Sequence, residues 1–413
     1  MLKKTLLASA SLVVAISVTS AAPTGGRQYS LDDLLALARS QSPAILAAQQ
    51  RVEALRGAHT SAATPDAPEV EFSRGRGESP DGLTSGQERG WAVSQRIEWP
   101  GRWRARVKAA EKNVDAGLAQ SQATQADVVA SVQEQFFGIL FSQKESALLE
   151  SQAAAAGDLL ALAEKRVQVG EGRELDRIKA RVEALRTQRK LEAARSELDV
   201  RKTVLNQYLL GALGDGYELS GTFQLPTVLA AKEDVLQHLL AVSPVLQEAK
   251  ARTEAAQWTL KAEQQGRLPD LSAAYADTHE LDRNARTVSL ALRIPLWGFN
   301  RGPIRTAAAE KEAAVLEETR AKAEVASRGV EAYQAYALAY AQAKSYETDL
   351  LPSAEKSLKI ATFSYGQGEL SLLDLLDARR TYLETVEEYN DVLFQFEAAR
   401  AQLERLIGGS LDR

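Results

Sequence analysis

The chain of 413 residues contains no cysteine, one methionine and three histidines. Without cysteine it can form no disulfide, thiolate metal site or thiol nucleophile, and it has no N-terminal cysteine for lipid attachment. His59, His238 and His279 are far apart in sequence, which does not favour a histidine metal site. No phosphate-binding glycine loop and no Ser-His-Asp set is present in the sequence. These absences predict a protein that is not an enzyme and uses no cofactor.

Residues 1–22 have the pattern of a secretory signal peptide. Lys3 and Lys4 precede an apolar run that ends at Val18 and is followed by small residues. The segment is too short to span a bilayer as an anchor. Its removal changes the formal net charge from −5 to −7, a balance that offers no electrostatic surface for nucleic acid. No later stretch has 18 consecutive apolar residues, so the chain can enter a membrane only as β-strands.

A short strand leads directly into a very long helix in the first half of the chain. Apolar and polar residues alternate from Trp91 to Trp99, which is the period of a strand with one apolar face. Pro100-Gly101 ends the alternation. Residues 102–169 contain no proline and only isolated glycines, so they are predicted to form one helix of about 100 Å. A strand joined to a rod of this length suggests a membrane β-barrel that continues into a helical tube.

The second half of the chain repeats the first. Four motifs recur after 196 to 201 residues: Ser42-Pro43 as Ser243-Pro244, Arg96-Ile97 as Arg293-Ile294, Gly170-Glu171-Gly172 as Gly366-Gln367-Gly368, and Ala180-Arg181 as Ala378-Arg379. Self-similarity of this kind is typical of a fold built from two equivalent units.

The sequence therefore predicts two tandem structural repeats after the signal peptide. The first repeat, 23–214, contains a helix, a β-hairpin (69–99) with a polar loop over 75–90, a long helix (102–169) and a return helix (174–210). The second repeat, 215–413, contains a helix (233–265), a β-hairpin (271–296), a long helix (303–363) and a return helix (371–407). Pro352 is expected to kink or split the second long helix.

The last helix has a coiled-coil pattern. Apolar residues recur every seven positions at Leu375, Tyr382, Tyr389, Phe396 and Leu403. A repeat of 3.5 residues predicts packing along a neighbouring helix rather than on a globular core.

Four membrane-type strands in one chain cannot close a barrel. Because exposed strand edges are not tolerated in lipid, closure requires association of several copies. A dimer with eight strands would have a filled interior, whereas a trimer with twelve strands leaves a lumen. In this arrangement Val93, Ile97, Leu290 and Leu292 would face lipid, and Ser94, Arg96, Ser289 and Arg293 would face the lumen. The predicted fold is mainly α with membrane β, with four long or segmented helices and four strands per chain, forming a trimer with a 12-stranded β-barrel and a 12-helix tunnel.

The repeat, the Pro-Gly corners and the turn sequences Val169-Gly170 and Tyr365-Gly366-Gln367-Gly368 resemble the TolC-type outer-membrane efflux proteins over essentially the whole mature chain. The segment from Val93 to Arg102 is similar to the CzcC-like branch, which serves cobalt-zinc-cadmium efflux. The resemblance implies a homotrimer in the outer membrane that is docked by a periplasmic adaptor and an inner-membrane pump of the RND type.

The resemblance also implies functional residues at the periplasmic tip. Leu372–Ala378 matches the motif whose carboxylates ring the tunnel entrance, which assigns that role to Asp374 and Asp377 and, by the repeat, to Asp176. Adaptor docking would use the tip residues Val169, Gly170, Gly172, Tyr365, Gly366 and Gly368. A competing interpretation is local, because Ser371 and Asp374 also have the spacing of a helix-capping box and the glycines suit simple turns.

Three functions are compatible with these patterns. The favoured one is a passive exit duct for heavy-metal cations. A duct for drugs or for type I polypeptide secretion would use the same fold. A soluble periplasmic coiled-coil scaffold would explain the heptads but not the two lipid-patterned hairpins.

Overall fold

The structure is a computed structural model that describes residues 27–78, 83, 85–281, 283–294 and 297–411. The predicted signal peptide (1–22) lies outside the described residues, as do the last two positions of the second predicted hairpin, Pro295 and Leu296. The described chain is mainly helical, as predicted.

In each half, two short helices and a β-hairpin lead to a long helical segment, which is divided in the second half, and then to a return helix. The first half consists of β1 (Gln28–Tyr29), α1 (Leu31–Gln41), α2 (Pro43–Ala63), β2 (Glu69–Glu78), β3 (Ser85–Ile97), α3 (Pro100–Gln168) and α4 (Glu174–Tyr208). The second half consists of β4 (Glu218–Leu219), α5 (Lys232–Val242), α6 (Pro244–Gln265), β5 (Asp270–His279), β6 (Asn284–Arg293), α7 (Arg301–Ser345), α8 (Leu351–Gln367) and α9 (Leu372–Ile407). Strands β1 and β4 form a two-residue parallel pair that the sequence did not predict.

Proline starts several of these helices. Pro43, Pro100 and Pro244 occupy the first helical position, where a missing N–H costs nothing and the fixed φ suits the helix. The prediction of one continuous helix over 233–265 is wrong, because Pro244 starts a new helix within it. Ser243 has φ −52° and ψ 123°, because a residue that precedes proline is pushed out of the helical region, and α5 therefore ends before α6 begins.

The second long helix is interrupted close to the predicted position. A π-helical turn over Tyr346–Leu350 separates α7 from α8, which has Pro352 in its first turn. Proline has no N–H for the helical hydrogen bond and its ring crowds the preceding turn, so a local change of helical pitch relieves both. The predicted single helix over 303–363 is therefore two helices.

The predicted loop over 75–90 is wrong at both of its ends, where β2 extends to Glu78 and β3 begins at Ser85. The strands pair there in antiparallel register, with Gly75 opposite Glu88 and Gly77 opposite Gly86. Residues 79–82 and 84 lie outside the described residues. A Cβ at Gly86 would lie 2.7 Å from Cδ2 of Leu281, and one at Gly77 would lie 2.9 Å from Cδ1 of the same side chain. The glycines therefore allow close approach of the second hairpin and do not mark a loop.

The two hairpins form one antiparallel sheet in the order β2-β3-β5-β6. Directly paired residues share a face, and successive residues alternate. The apolar face is formed by Val70, Phe72, Trp91, Val93, Ile97, Leu271, Tyr275, Val288, Leu290 and Leu292. The polar face includes Glu69, Glu71, Ser94, Arg96, Asp270, Ser272, Ser289 and Arg293. Within the described residues, β2 and β6 have no partner on their outer edges.

Helix α3 is the centre of the helical part and packs against α2, α4, α6 and α9. The largest apolar cluster joins α1, α3 and the end of α4, with Leu34, Val132 and Leu205 fully buried. Along α9 the heptad residues Phe396 and Leu403 are buried against α7. Coiled-coil packing of long rods therefore replaces a single globular core.

Candidate functional site

The turn between α3 and α4 requires its glycines. Gly170 has φ +81°, a left-handed conformation that favours glycine. The N–H groups of Glu171 and Gly172 both donate to the Arg166 carbonyl at 2.9 Å, which terminates α3. A Cβ at Gly172 would lie 2.8 Å from the Val167 nitrogen, so no larger residue fits there. Val169, which begins this turn, is 61% exposed.

The turn between α8 and α9 has the same construction with one glycine fewer. Gly368 has φ +82°, and the N–H of Glu369 donates to the Ser364 carbonyl at 3.0 Å. Gly366 lies in the last turn of α8 with open space around it, so the turn geometry does not require glycine there. Tyr365 is buried and packs with Leu372.

The two turns lie side by side. The guanidinium of Arg166 on α3 sits over the ring of Tyr365 at 5.0 Å from its centroid, and Leu159 on α3 packs with Leu375 on α9. A cation–π contact of this kind holds the two helix ends together. The predicted tip residues Val169, Gly170 and Gly172 thus lie near Gly366 and Gly368 of the second turn. Tyr365 is buried, so its side chain is not part of this surface.

The three candidate carboxylates have different local roles. Asp374 completes a capping contact: its N–H donates to Ser371 Oγ at 3.3 Å, and that hydroxyl donates to Asp374 Oδ2 at 2.6 Å. Asp377 is exposed and accepts from Arg380 at 2.6 Å. Asp176 is half-buried in the first turn of α4. In a single copy of the chain, Asp374 and Asp377 line the same groove, whereas Asp176 does not.

That groove, here called the α4–α9 groove, runs between α4 and α9 over α3 and has a cavity volume of about 830 Å³. Arg379 projects into it and donates to the Gln152 carbonyl of α3 at 3.1 Å. Burial lowers the pKa of the Arg379 guanidinium, and the nearby Glu183 and Asp158 carboxylates act in the opposite direction. Arg379 therefore joins α9 to α3 through a polar contact at a position where the heptad pattern would place an apolar residue.

Glu145 lies deeper in the groove. Burial raises the pKa of its carboxyl above the usual 4.5, and the neighbouring carboxylates Glu387 and Glu197 raise it further. Arg201 and Lys190 oppose the shift. Negative charges from α3, α4 and α9 therefore meet in one partly desolvated region.

At one end of the sheet, opposite charges are paired on the polar face. Arg96 donates to Asp270 Oδ2 at 2.5 Å and lies 3.8 Å from Asp66. In the strand register, Asp270 is directly opposite Arg293. The structure thus groups Arg96 and Arg293 on one face, opposite Val93 and its apolar neighbours; that this face lines a lumen stays a prediction.

Sequence reasoning missed most of the partners that complete these sites. Asp270 and Asp66 carry no signal of their own, because their pairing with Arg96 depends on how two hairpins meet. Arg379 had one signal: it lies seven residues before Val386, on a second heptad line of the last helix that continues at Leu393. The contact of Arg166 with Tyr365 could not be predicted from residues almost 200 positions apart.

The described ranges contain neither a metal-binding cluster nor a membrane-spanning helix. No group of three or more histidine or acidic side chains there is arranged to hold a metal ion. None of the described helices has the length and apolarity needed to cross a membrane.

Comparison with known sequences gives the same match in both halves. The outer membrane efflux protein family model matches residues 34–211 and 235–409. The cobalt-zinc-cadmium resistance protein CzcC of Cupriavidus metallidurans is 28% identical over 315 residues, which cover 76% of this chain and 75% of that protein. The pyoverdine export outer membrane protein OpmQ of Pseudomonas putida is 25% identical over 414 residues, covering 92% of this chain and 86% of that protein.

Solved structures share the fold. CusC superposes with a TM-score of 0.78 at 19% identity, covering 95% of this chain and 96% of that chain. The outer membrane protein VceC of Vibrio cholerae superposes with a TM-score of 0.76 at 18% identity, covering 92% of this chain and 96% of that chain. Because the family model spans both repeats and the fold is that of TolC-type channels, this chain belongs to the outer membrane efflux protein family.

Proposed function

We propose that the protein is the outer-membrane exit duct of a tripartite efflux system, that it works as a homotrimer, and that it conducts heavy-metal cations. The observation that carries the proposal is the sheet, which has one apolar face, one charged face and, within the described residues, two edges without a partner strand. Such a sheet is suited to a place in a barrel wall between lipid and water.

The edges of the sheet support association of identical chains. In the order β2-β3-β5-β6 all neighbours are antiparallel, so β2 and β6 run in opposite directions. Pairing β2 of one copy with β6 of the next therefore continues the antiparallel pattern. Three copies give twelve strands, enough for a lumen, whereas two give eight and a filled interior.

An unpartnered apolar seam on α4 supports the same assembly. Leu175, Ile178, Val182 and Leu185 are at least half exposed, and their spacing of three, four and three residues is that of a coiled-coil seam. In the described chain α4 packs on α3, and its seam is left uncovered. A helix of a second copy would bury it and close a helical tunnel.

The tip is proposed to form the entrance of the duct. Three copies would bring Asp374 and Asp377, with Asp176 further out, close to one axis. Several carboxylates at a constriction attract cations and repel anions, because their fields add and protein walls limit screening.

The exposed turns at Val169 and Gly368 would dock a periplasmic adaptor, through which an RND-type inner-membrane pump delivers the cargo. The duct has no energy source of its own in this proposal.

Metal cargo is supported by the similarity to a cobalt-zinc-cadmium resistance protein. Export of an organic compound is the second candidate, because the pyoverdine export relative aligns with more of the chain, 92% against 76%. A periplasmic scaffold is the third candidate and would leave the apolar face of the sheet exposed to water.

Complementation tests these candidates. Cells that express a cobalt-zinc-cadmium pump and its adaptor but lack their own duct should regain growth on zinc and cadmium when the full chain is supplied. The matched control omits the pump and should stay sensitive. Restored export of an organic compound without metal tolerance would favour the second candidate. Recovery of the protein in the soluble periplasmic fraction would support the scaffold instead.

A further inference from the structure

Three arginines extend the apolar face of the sheet at the end away from the helices. Arg74 and Arg89 are directly paired between β2 and β3. Arg76, opposite Gln87, is the next residue of β2 on the same face. All three are exposed and have the same parity as Phe72 and Trp91, so they lie on the apolar face next to its aromatic residues. These residues, Arg74, Arg76 and Arg89, are called the arginine row.

The position of the arginine row fits a membrane boundary. Trp99 follows the end of β3 by two residues and is ten positions from Arg89, a span of about 33 Å in extended chain. At a strand tilt of about 40°, this corresponds to about 25 Å along the membrane normal, the height of the outward apolar band of bacterial barrels. The arginines would therefore lie at the depth of lipid headgroups.

Carboxylates on the same face do not neutralise the row. Asp277 lies 3.4 Å from His279 Nδ1 and 3.4 Å from Arg286 Nε, so its carboxylate is already paired with side chains of β5 and β6. Glu78, at the end of β2, forms no salt bridge with any described residue. Arg74 donates to the neutral Gln87 side chain at 2.8 Å. Among the residues with described structure, none of the three arginines forms a salt bridge.

Two like charges directly opposite each other in a sheet repel, so an anion between them would be stabilising. A neighbouring copy does not supply one, because β6 presents Asn284 and Arg286 at this end of the apolar face. Pairing of β2 with β6 of another copy would bring Arg286 together with its partner Asp277, and so no free carboxylate.

We propose that the arginine row binds the phosphate groups of anionic lipids in the outer leaflet of the outer membrane. Side chains on directly opposite residues start about 5 Å apart, so both guanidinium groups can donate to one phosphate. Phe72 and Trp91 contact the lipid at the adjacent level of the apolar face. The inference rests on the proposed function, which places this face in lipid.

The test uses the full mature chain, extracted from outer membranes into detergent and titrated with lipid A that carries both phosphates. Native mass spectrometry counts the bound lipid. Arg74→Gln/Arg89→Gln should weaken binding about tenfold or more, because two charge-assisted contacts are lost. The affinity of Arg74→Lys/Arg89→Lys for lipid A should fall between those of the glutamine variant and the wild type, since lysine keeps the charge but not the bidentate geometry. The control, Arg51→Gln/Arg189→Gln, removes two exposed charges from α2 and α4 and should bind like the wild type.

Three outcomes would overturn the inference: equal binding by the glutamine variant and the wild type, equal binding of lipid A from which the phosphates have been removed, or inorganic phosphate binding as tightly as lipid A. Each can occur while the wild-type protein still fractionates with the outer membrane as a trimer. Failure of that fractionation would instead contradict the proposed function.

Discussion

Asp374 shows how one residue can have a local and a collective role. Its contact with Ser371 explains its presence at a helix start, where a carboxylate is stabilised by free N–H groups. Asp377 is not a cap and is bound only by the exposed Arg380 in a single copy of the described chain. An ion pair this exposed contributes little stability, so it leaves Asp377 available to a cation.

The entrance carboxylates are testable by conductance. In planar bilayers the wild-type pore should be cation-selective and blocked by millimolar or lower multivalent cations from the periplasmic side, because hard cations prefer clustered oxygen ligands. Asp374→Ala/Asp377→Ala should lose most of the block and still form trimers.

A capping role alone gives a different result for the same variants. Asp374→Ala would lower the free energy of unfolding by about 1 kcal/mol and leave conductance unchanged. Selectivity and block equal to those of the wild type in the double variant would show that these carboxylates do not form the entrance ring.

Glu145 should make stability depend on pH. Its pKa is raised in the folded state, so its ionisation destabilises the fold. The penalty is present above the raised pKa and disappears as pH falls below the unfolded value of 4.5. Glu145→Gln should therefore raise the thermal midpoint at about pH 7.5 and change it little at about pH 4. The exposed Glu171→Gln is the control, and an equal gain at both pH values would contradict this account.

At the scale of elements, the strand register predicts which substitutions the sheet tolerates. Leu290→Arg or Val93→Arg places a charge on the apolar face and should cost about 2 to 4 kcal/mol per site if that face meets lipid near mid-membrane. Ser289→Arg and Ser94→Arg place it on the opposite face and should be tolerated. Heat-modifiable migration of outer-membrane extracts measures assembly. Equal loss of assembly in the apolar-face variants and the serine variants would mean that the two faces do not separate lipid from water.

The α4 seam gives a second prediction at this scale. Ile178→Ser/Val182→Ser removes apolar surface that another copy would bury, at about 1 to 3 kcal/mol per side chain. Size-exclusion chromatography with light scattering should show partial dissociation to smaller species in detergent. Arg177→Ser/Arg181→Ser, two exposed residues on the same helix but outside the seam, is the control. Trimers of unchanged stability in the seam variant would show that α4 does not lie at the interface.

At the scale of the whole molecule, the decisive quantity is the number of copies. Four strands with two free edges in the described chain cannot exclude lipid alone, so the intact complex in detergent should have three times the mass of the mature chain. Native mass spectrometry measures it. A stable monomer that still forms channels after reconstitution would rule out the trimeric duct.

Much of the helical architecture could be predicted because its signals are local. Serine-proline pairs, the capping spacing at Ser371 and the heptads of α9 act within a few residues, so they can be recognised without knowledge of the fold. Glycine occurs both in turns and where segments approach closely, so its role within 75–90 depends on the tertiary neighbours. In the structure Gly86 meets the Leu281 side chain, and Gly90 meets Ser73 and Thr278.

What the sequence alone determined is therefore the element plan: alternation specifies two-faced strands, and a seven-residue repeat specifies rods that pack along one another. The tertiary structure decided which side chains meet. It placed Arg166 on Tyr365, Arg379 on the α3 backbone and Arg74 opposite Arg89. Periodicity is a property of neighbouring residues, whereas these contacts depend on the register between segments, which is set only when helices and strands pack.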